Sequence, residues 1–203
     1  MSDRYRTIRL GAERTLKVQG SRFLALAAFA DSKDAAMAEI ERRRTALHDA
    51  THHAFAYRVA TDGGEFRAVD DGEPNGSAGR PILAAIDRAQ LTNVVVVVTR
   101  YFGGTKLGVG GLARAYGEAA ALAVAASEQE ERSILASLAV TFPHASVGPV
   151  MHVITKAGAK VASSAYDEEV HLTIEVRRSA CDELFARLVE STSGAVRRDT
   201  EGG

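Results

Sequence analysis

The sequence predicts an α+β protein of two domains, and three patterns carry that prediction. Strand and helix periodicities alternate through the N-terminal two thirds of the chain, and a polar, charged stretch, SEQEERS at residues 127–133, then interrupts them. After it the pattern restarts in the order strand, helix, strand, strand, helix, strand. That βαββαβ order is the split βαβ unit of a ferredoxin-like domain. The division is placed near residue 132, with domains at residues 1–131 and 136–203.

In the first domain, TLKVQGSRFLALAAF (15–29) alternates well enough to be one strand passing through Gly20. A helix follows over residues 31–50, with Asp31 or Ser32 as its N-cap and Met37, Ile40, Arg44 and Leu47 on one stripe. HHAFAYRVA and GEFRAV bracket Thr61-Asp62-Gly63-Gly64, a hairpin signal. SAGRPILAAIDRAQ reads as a helix that tolerates Pro81 in its first turn, where the missing N–H costs nothing. The β-branched run NVVVVVTRYF predicts a strand buried on both faces. The Ala-rich segment from Leu112 to about Ser127 predicts a helix apolar nearly all round and therefore buried. In the second domain the elements are SLAVTF, the helix SVGPVMHVITKAG, AKVASSAY, EVHLTIEV, the helix SACDELFARLVES and the short strand GAVRRD.

Composition bounds the function. A chain of 203 residues, 46% hydrophobic and 25% charged, has enough apolar residues to bury a core and reads as an ordinary globular protein. A formal net charge of −1 argues against broad nonspecific affinity for nucleic acid, although a local basic patch is compatible with it. The single cysteine, Cys181, excludes an intrachain disulfide or a multi-cysteine metal site, and its helical setting suggests packing. The N-terminus has no apolar signal core, and the longest apolar runs, residues 94–98 and 119–126, are too short to cross a bilayer. A cytoplasmic protein without a membrane partner is the expectation.

Chemistry concentrates in three segments at element ends, where binding residues gather on a rigid scaffold. ATHHAFAYR places His52 and His53 at the entry to a strand, their side chains on opposite faces, so the two do not readily share a metal. DDGEPNGSAGRP sets Asp70, Asp71 and Glu73 in a Gly/Pro turn leading into a helix. TRYFGGTKLGVGG sets five glycines between a strand and a helix. Glycine loses the most chain entropy on folding, so this density points to close backbone approach, by a ligand or by neighbouring chain. Helix N-termini attract anions, and Arg80, Arg100, Lys106 and Arg114 lie nearby in sequence, so a phosphate is the predicted ligand, held by those cations with Gly103, Gly104, Gly108 and Gly110. Asp70, Asp71 and Glu73 either cap turns and pair with Arg80 and Arg100 or hold Mg²⁺. Ser77 beside His52 would give a nucleophile and base, but no G-x-S-x-G or H-E-x-x-H motif supports catalysis. Gly108 to Ala113 matches G-x-G-x-x-A, yet it stands well beyond the preceding strand and no acid-ending second strand follows, and no P-loop pattern is present. A Rossmann site is excluded on that context.

Taken together, ATHHAFAYR, DDGEPNGSAGRPIL and VVVVVTRYFGGTKLGVGGLARAY resemble the IMPACT family, including its bacterial YigZ-type members. The glycine, the hydrophobic spacing and the terminal Arg-aromatic-aromatic-Gly-Gly-x-x-Leu-Gly run, from Gly79 to Gly108, resemble that family's signature in a long, ordered pattern, and the resemblance covers about residues 17–125, with the βαββαβ tail similar to the second domain of the bacterial members. Ser77 stands where many relatives carry threonine, and His53 where asparagine is common. The resemblance implies a first domain of the ribosomal-protein-S5-domain-2-like type and a ferredoxin-like second domain, both similar to modules of translation elongation factors. In eukaryotic relatives a further N-terminal domain accompanies control of a starvation-responsive translation kinase; this chain is read as starting at the shared domain, so that role is not carried over.

The expected function is a non-enzymatic cytoplasmic factor in translation or its regulation, binding RNA phosphate or a ribosome-associated partner through residues 70–80 and 100–111, with Tyr101 or Phe102 stacking on a base if exposed. One alternative is an enzyme acting on a small phosphorylated ligand with carboxylate-bound Mg²⁺, steadied by Lys106 or Arg100. Another is a protein-interaction module whose acidic loop docks a basic partner.

Overall fold

The computed structural model describes residues 3–199. The chain divides into two compact units, Tyr5–Arg132 and residues 133–199, and Asp3 and Arg4 are counted with the latter.

In the first unit the strands β1 (Arg4–Leu10), β2 (Ala12–Val18) and β3 (Ser21–Phe29) precede helix α1 (Lys33–Ala46). The hairpin β4 (His52–Val59) and β5 (Glu65–Val69) leads to α2 (Gly79–Ala89), then β6 (Val94–Tyr101), α3 (Gly108–Ala126) and β7 (Glu128–Ser133). Five strands form one antiparallel sheet in the order β2-β3-β6-β4-β5. The valine run sits at its centre, and the period-two alternation of a strand sends successive side chains to opposite faces. Val94, Val96 and Val98 pack with Ile82 and Ile86 of α2 and Tyr116 and Ala120 of α3. Val95 and Val97 pack with Ala36 and Ile40 of α1.

The sequence expectations need four corrections here. The segment 15–29 is two strands: β2 and β3 pair Val18 with Ser21 across a two-residue turn, with Gln19 at φ 45° and Gly20 at φ 81°. Two positive-φ residues are the signature of the tight hairpin turn that matches strand twist. The stretch 127–133 is not a linker: Ser127 closes α3 and Glu128–Ser133 is β7, in a two-stranded sheet with β1. Helix α3 begins at Gly108 rather than Leu112, and one side of it faces solvent, with Leu122 43% exposed. In α1, capped by the Ser32 hydroxyl accepting from Ala35 N–H, the buried positions are Ala36, Ile40 and Arg43; Arg44 is displaced from the buried stripe.

The second unit holds β8 (Leu135–Phe142), α4 (Val147–Lys156), β9 (Lys160–Tyr166), β10 (Val170–Arg177), α5 (Cys181–Ser191) and β11 (Arg197–Arg198). The sheet order is β11-β8-β10-β9 with antiparallel neighbours, the ferredoxin-like arrangement. One sheet face carries Leu138, Val140, Phe142, Leu172 and Ile174 onto Val150, Ile154, Leu184 and Leu188 of the two helices. Cys181 is buried in this core, as its helical setting suggests.

The density of glycine after β6 has a packing cause at its first position. A Cβ on Gly103 would stand 1.9 Å from the Gly20 carbonyl carbon, and one on Gly20 would stand 2.8 Å from the Gly103 oxygen. The loop and the β2–β3 turn therefore touch backbone to backbone, and the Gly103 N–H donates to Ser21 Oγ at 3.2 Å. Gly103→Ala is expected to destabilise the chain by ~2–3 kcal/mol, because only a backbone shift relieves the overlap. Gly148→Ala, in the first turn of α4 with nothing within 4 Å of the added methyl, should change stability by less than ~1 kcal/mol and in the stabilising direction. Urea-unfolding midpoints of the two variants against the parent protein check both signs.

Candidate functional site

The loop between β5 and α2 is held by its own carboxylates. Asp70 Oδ2 accepts from Gly76 N–H at 2.8 Å, and Oδ1 accepts from Ala78 N–H at 2.9 Å and Gly79 N–H at 2.8 Å. Asp70 thereby caps α2, whose own N-cap, Ala78, has no side-chain oxygen to do so. Burial pushes the Asp70 carboxyl up, but the three backbone donors, with the charge of Arg80, outweigh it and hold the group below its ordinary range. Gly79 is required here, since a Cβ would lie 2.5 Å from Val69 N. Asp71, at φ 51°, accepts from Arg44 at 2.7 Å and from His53 N–H at 2.7 Å. Its carbonyl oxygen is 2.8 Å from His52 Nδ1.

Glu73 turns inward. Its Oε1 accepts from Arg100 Nη1 at 2.7 Å and from the Tyr116 hydroxyl at 2.7 Å. The Glu73 and Arg100 side chains are only 4% and 6% exposed. Arg100 also donates to Ser21 Oγ at 3.3 Å and lies 5.5 Å from the ring centres of both Phe23 and Phe102. Burial, then the hydrogen bond to Glu73, pushes the Tyr116 phenol far above its usual range. Above this network opens a cleft of about 260 Å³ lined by Glu73, Arg100, Phe102, Lys106, Val109 and Leu112, among others.

The segments that build this cleft also place the chain among known proteins. Residues 19–124 match the pattern of the Impact N-terminal domain, and residues 140–195 match a domain of unknown function, DUF1949. The chain belongs to the IMPACT family. It is 46% identical over 149 residues to a Thermus thermophilus protein described as an IMPACT family member in pol 5'region, a match spanning 73% of this chain and 79% of that relative. It is 29% identical to the Escherichia coli IMPACT family member YigZ over 89% of each chain. A crystal structure of a hypothetical protein superposes on all of this chain and all of its own with a TM-score of 0.77 at 26% identity. The cleft lies wholly within the segment matched to the Impact N-terminal domain.

Within this IMPACT family member the fold brings together some of the sequence-predicted residues and separates others. Glu73, Arg100, Lys106 and Gly108 line one cleft. Arg114 lines a different hollow with Pro81 and Arg88, and Arg80 lies exposed outside the cleft. Tyr101 points to the other sheet face, where its hydroxyl donates to Asp49 at 2.8 Å and Arg22 sits over its ring at 4.7 Å. Of Tyr101 and Phe102, the two aromatics read as stacking candidates, Phe102 is the exposed one, at 50%. Ser77 is fully buried and donates to Pro74 O at 2.6 Å, and His52 is tied to Asp71, so no nucleophile and base pair forms. His53 is buried against Thr99, and burial lowers its pKa. Gly104 and Gly108 hold φ of 88° and 69°, a conformation that favours glycine without reference to a ligand, whereas a Cβ on Gly110 would meet only Arg114 Nη1, at 4.0 Å.

The Mg²⁺ expectation loses its donor set. Asp70, Asp71 and Glu73 each engage different protein groups, and no cluster of three metal-ligating side chains occurs among the described residues. Among those residues no helix is long and apolar enough to cross a membrane. Two positions escaped the sequence reading, Ser21 and Tyr116. Tyr116 had a usable signal, because a tyrosine inside an Ala-rich buried helix needs a partner for its hydroxyl.

Two outcomes follow for the loop. Asp70→Asn keeps one acceptor oxygen but sets an amide donor against backbone donors, so it should cost ~1–3 kcal/mol at neutral pH. The parent protein's advantage is present above the ordinary carboxylate pKa of ~3.9 and disappears as pH falls through the lowered folded value. Unfolding midpoints of both proteins measured from neutral pH down to about pH 2.5 should therefore converge at the acid end. Glu73→Ala leaves Arg100 buried without its counter-charge and should cost ~3–5 kcal/mol, against ~1 kcal/mol for Tyr116→Phe, as read by thermal unfolding.

Proposed function

We propose that this IMPACT family member is a non-enzymatic cytoplasmic factor in translation or its regulation, and that it binds single-stranded RNA through the cleft beside Phe102. The observation that carries the reading is the juxtaposition of Phe102, half exposed on the loop after β6, with Lys106 and the start of α3. Among the described residues Lys106 makes no ion pair, and no side chain caps the α3 N-terminus, so a cation and free N–H groups border a flat apolar ring. A nucleotide needs those two neighbours: a π-face for its base and positive potential for its phosphate. Kinship with the IMPACT family supplies the translational setting. The enzyme alternative is disfavoured by the separate engagement of the three carboxylates.

The test is fluorescence anisotropy of a short generic single-stranded RNA with the parent protein, Phe102→Ala and Lys106→Ala. Loss of the ring should weaken binding by ~1–3 kcal/mol. Loss of Lys106 should weaken all sequences alike and reduce the slope of log affinity against log salt by about 0.7, the value for one phosphate contact on a single strand. Absence of RNA binding, or binding indifferent to both substitutions, overturns the proposal. Arg100 is unsuitable as the test position because its removal strands Glu73.

A further inference from the structure

The sequence places a cation, Arg100, at the phosphate-binding centre, but folding pairs that cation with a carboxylate in the cleft lining. Arg100 Nη1 is taken by Glu73 and Nη2 by Ser21. Its Nε has no partner, but that atom is sealed from solvent. The guanidinium is therefore committed to the protein. Glu73 is not fully committed: both its donors, Arg100 and Tyr116, fall on Oε1, and Oε2 receives no hydrogen bond from the described residues. The Glu73 side chain is 4% exposed and the residue lines the cleft, and Oε2 is not among the sealed, unpartnered atoms. Glu73, with one acceptor oxygen unpaired among the described residues, thus lines a small cavity whose other walls include Pro74, Phe102, Leu107, Val109 and Leu112.

We propose that Glu73 Oε2 reads the base, accepting a hydrogen bond from its exocyclic amino group. This rests on the RNA reading of the cleft and adds a specificity to it. The cavity, about 260 Å³, lies just below the ~300–1,000 Å³ typical of small-molecule sites, so it takes one planar group and not a length of chain. Phe102 supplies the face on which that group lies, and Lys106 at the rim meets the phosphate. A carboxylate acceptor favours adenine, cytosine or guanine, which present amino donors. It disfavours uracil, whose ring N–H lies between two carbonyl oxygens that the carboxylate repels. An acceptor left unpaired in such a site discriminates strongly, because the ligand without the donor buries it unsatisfied.

The decisive comparison uses the parent protein. Oligomers of adenosine and of purine riboside, which has the same ring system but lacks the amino group, are titrated alongside oligomers of cytidine and uridine. Stacking on Phe102 is matched between the two purines, so the amino group is what differs. The expected result is about tenfold or greater preference for adenosine over purine riboside, with cytidine above uridine. Glu73→Gln, checked for folding by circular dichroism and unfolding midpoint, provides the second arm. With the amide oxygen kept by Arg100 and Tyr116, the amide NH₂ replaces Oε2 and turns acceptor into donor, so the preference for amino-bearing bases should vanish or pass to uridine. Equal affinity for the two purines, with binding still dependent on Phe102, overturns the role of Glu73 and leaves the RNA reading standing. RNA binding that is absent, or indifferent to both Phe102→Ala and Lys106→Ala, overturns both. Glu73-dependent binding of a lysine-rich peptide in place of RNA also overturns both, and identifies a protein side chain as the occupant.

Discussion

One buried carboxylate joins three parts of the first unit that are remote in sequence. Glu73 stands in the loop before α2, Arg100 is 27 residues away near the end of β6, and Tyr116 is 43 residues away in α3. Both donors converge on one oxygen in a region of almost no solvent access. An ion pair in that setting adds little net stability compared with an apolar replacement, yet breaking it is costly because the surviving charge is left unpaired. Its consequence is positional. It fixes where β6 ends, and so where Phe102 leaves the sheet and where the glycine loop begins.

The loops around that pair are then specified by hydrogen bonds and close backbone contact rather than by apolar burial. Asp70 gathers three N–H groups at the head of α2, Asp71 ties Arg44 to the first residues of β4, and Gly103 lies against Gly20. The charges that look so abundant in the sequence are thus largely matched internally. Among the described residues Lys106 makes no ion pair where it lines the cleft, while Arg80 and Arg114 lie elsewhere. The candidate site is a small, mostly apolar cavity lined by a carboxylate, Glu73, and a cation, Lys106, among others. Under the proposed reading, a chain near neutrality would recognise a single base and its phosphate rather than track along a nucleic-acid backbone.

Much of the architecture is legible in the sequence because it depends on short-range patterns. The valine run declares a strand buried on both sides, since no strand with a wet face could carry five consecutive valines. The βαββαβ order of the second unit follows from alternation and helical spacing in pieces of about ten residues, and the observed sheet order agrees with it. Membership of the IMPACT family is legible too, in the ordered run from the histidine pair to the glycine loop. Two of the misread stretches failed for local reasons. Gly20 continues an alternating pattern whether the chain runs on or folds back, and only the pairing of Val18 with Ser21 distinguishes the two. The polar segment 127–133 looks like a linker because a two-stranded ribbon with little buried surface needs no hydrophobic alternation.

The sequence by itself determined the two-domain α+β plan, the family, and the segments that border the cleft. Tertiary structure decided what those segments offer a ligand. Residue types announce that carboxylates, arginines and glycines are present, but they do not say which carboxylate meets which arginine. Folding assigned Asp70 to a helix end, Asp71 to Arg44 and Glu73 to Arg100, and it turned Tyr101 away while leaving Phe102 exposed. A buried charge is defined by its partner, and here the partner is 27 residues distant. Periodicity reaches only across a turn of helix or a step of strand, so pairing over that separation is fixed only when the sheet closes and brings the atoms together.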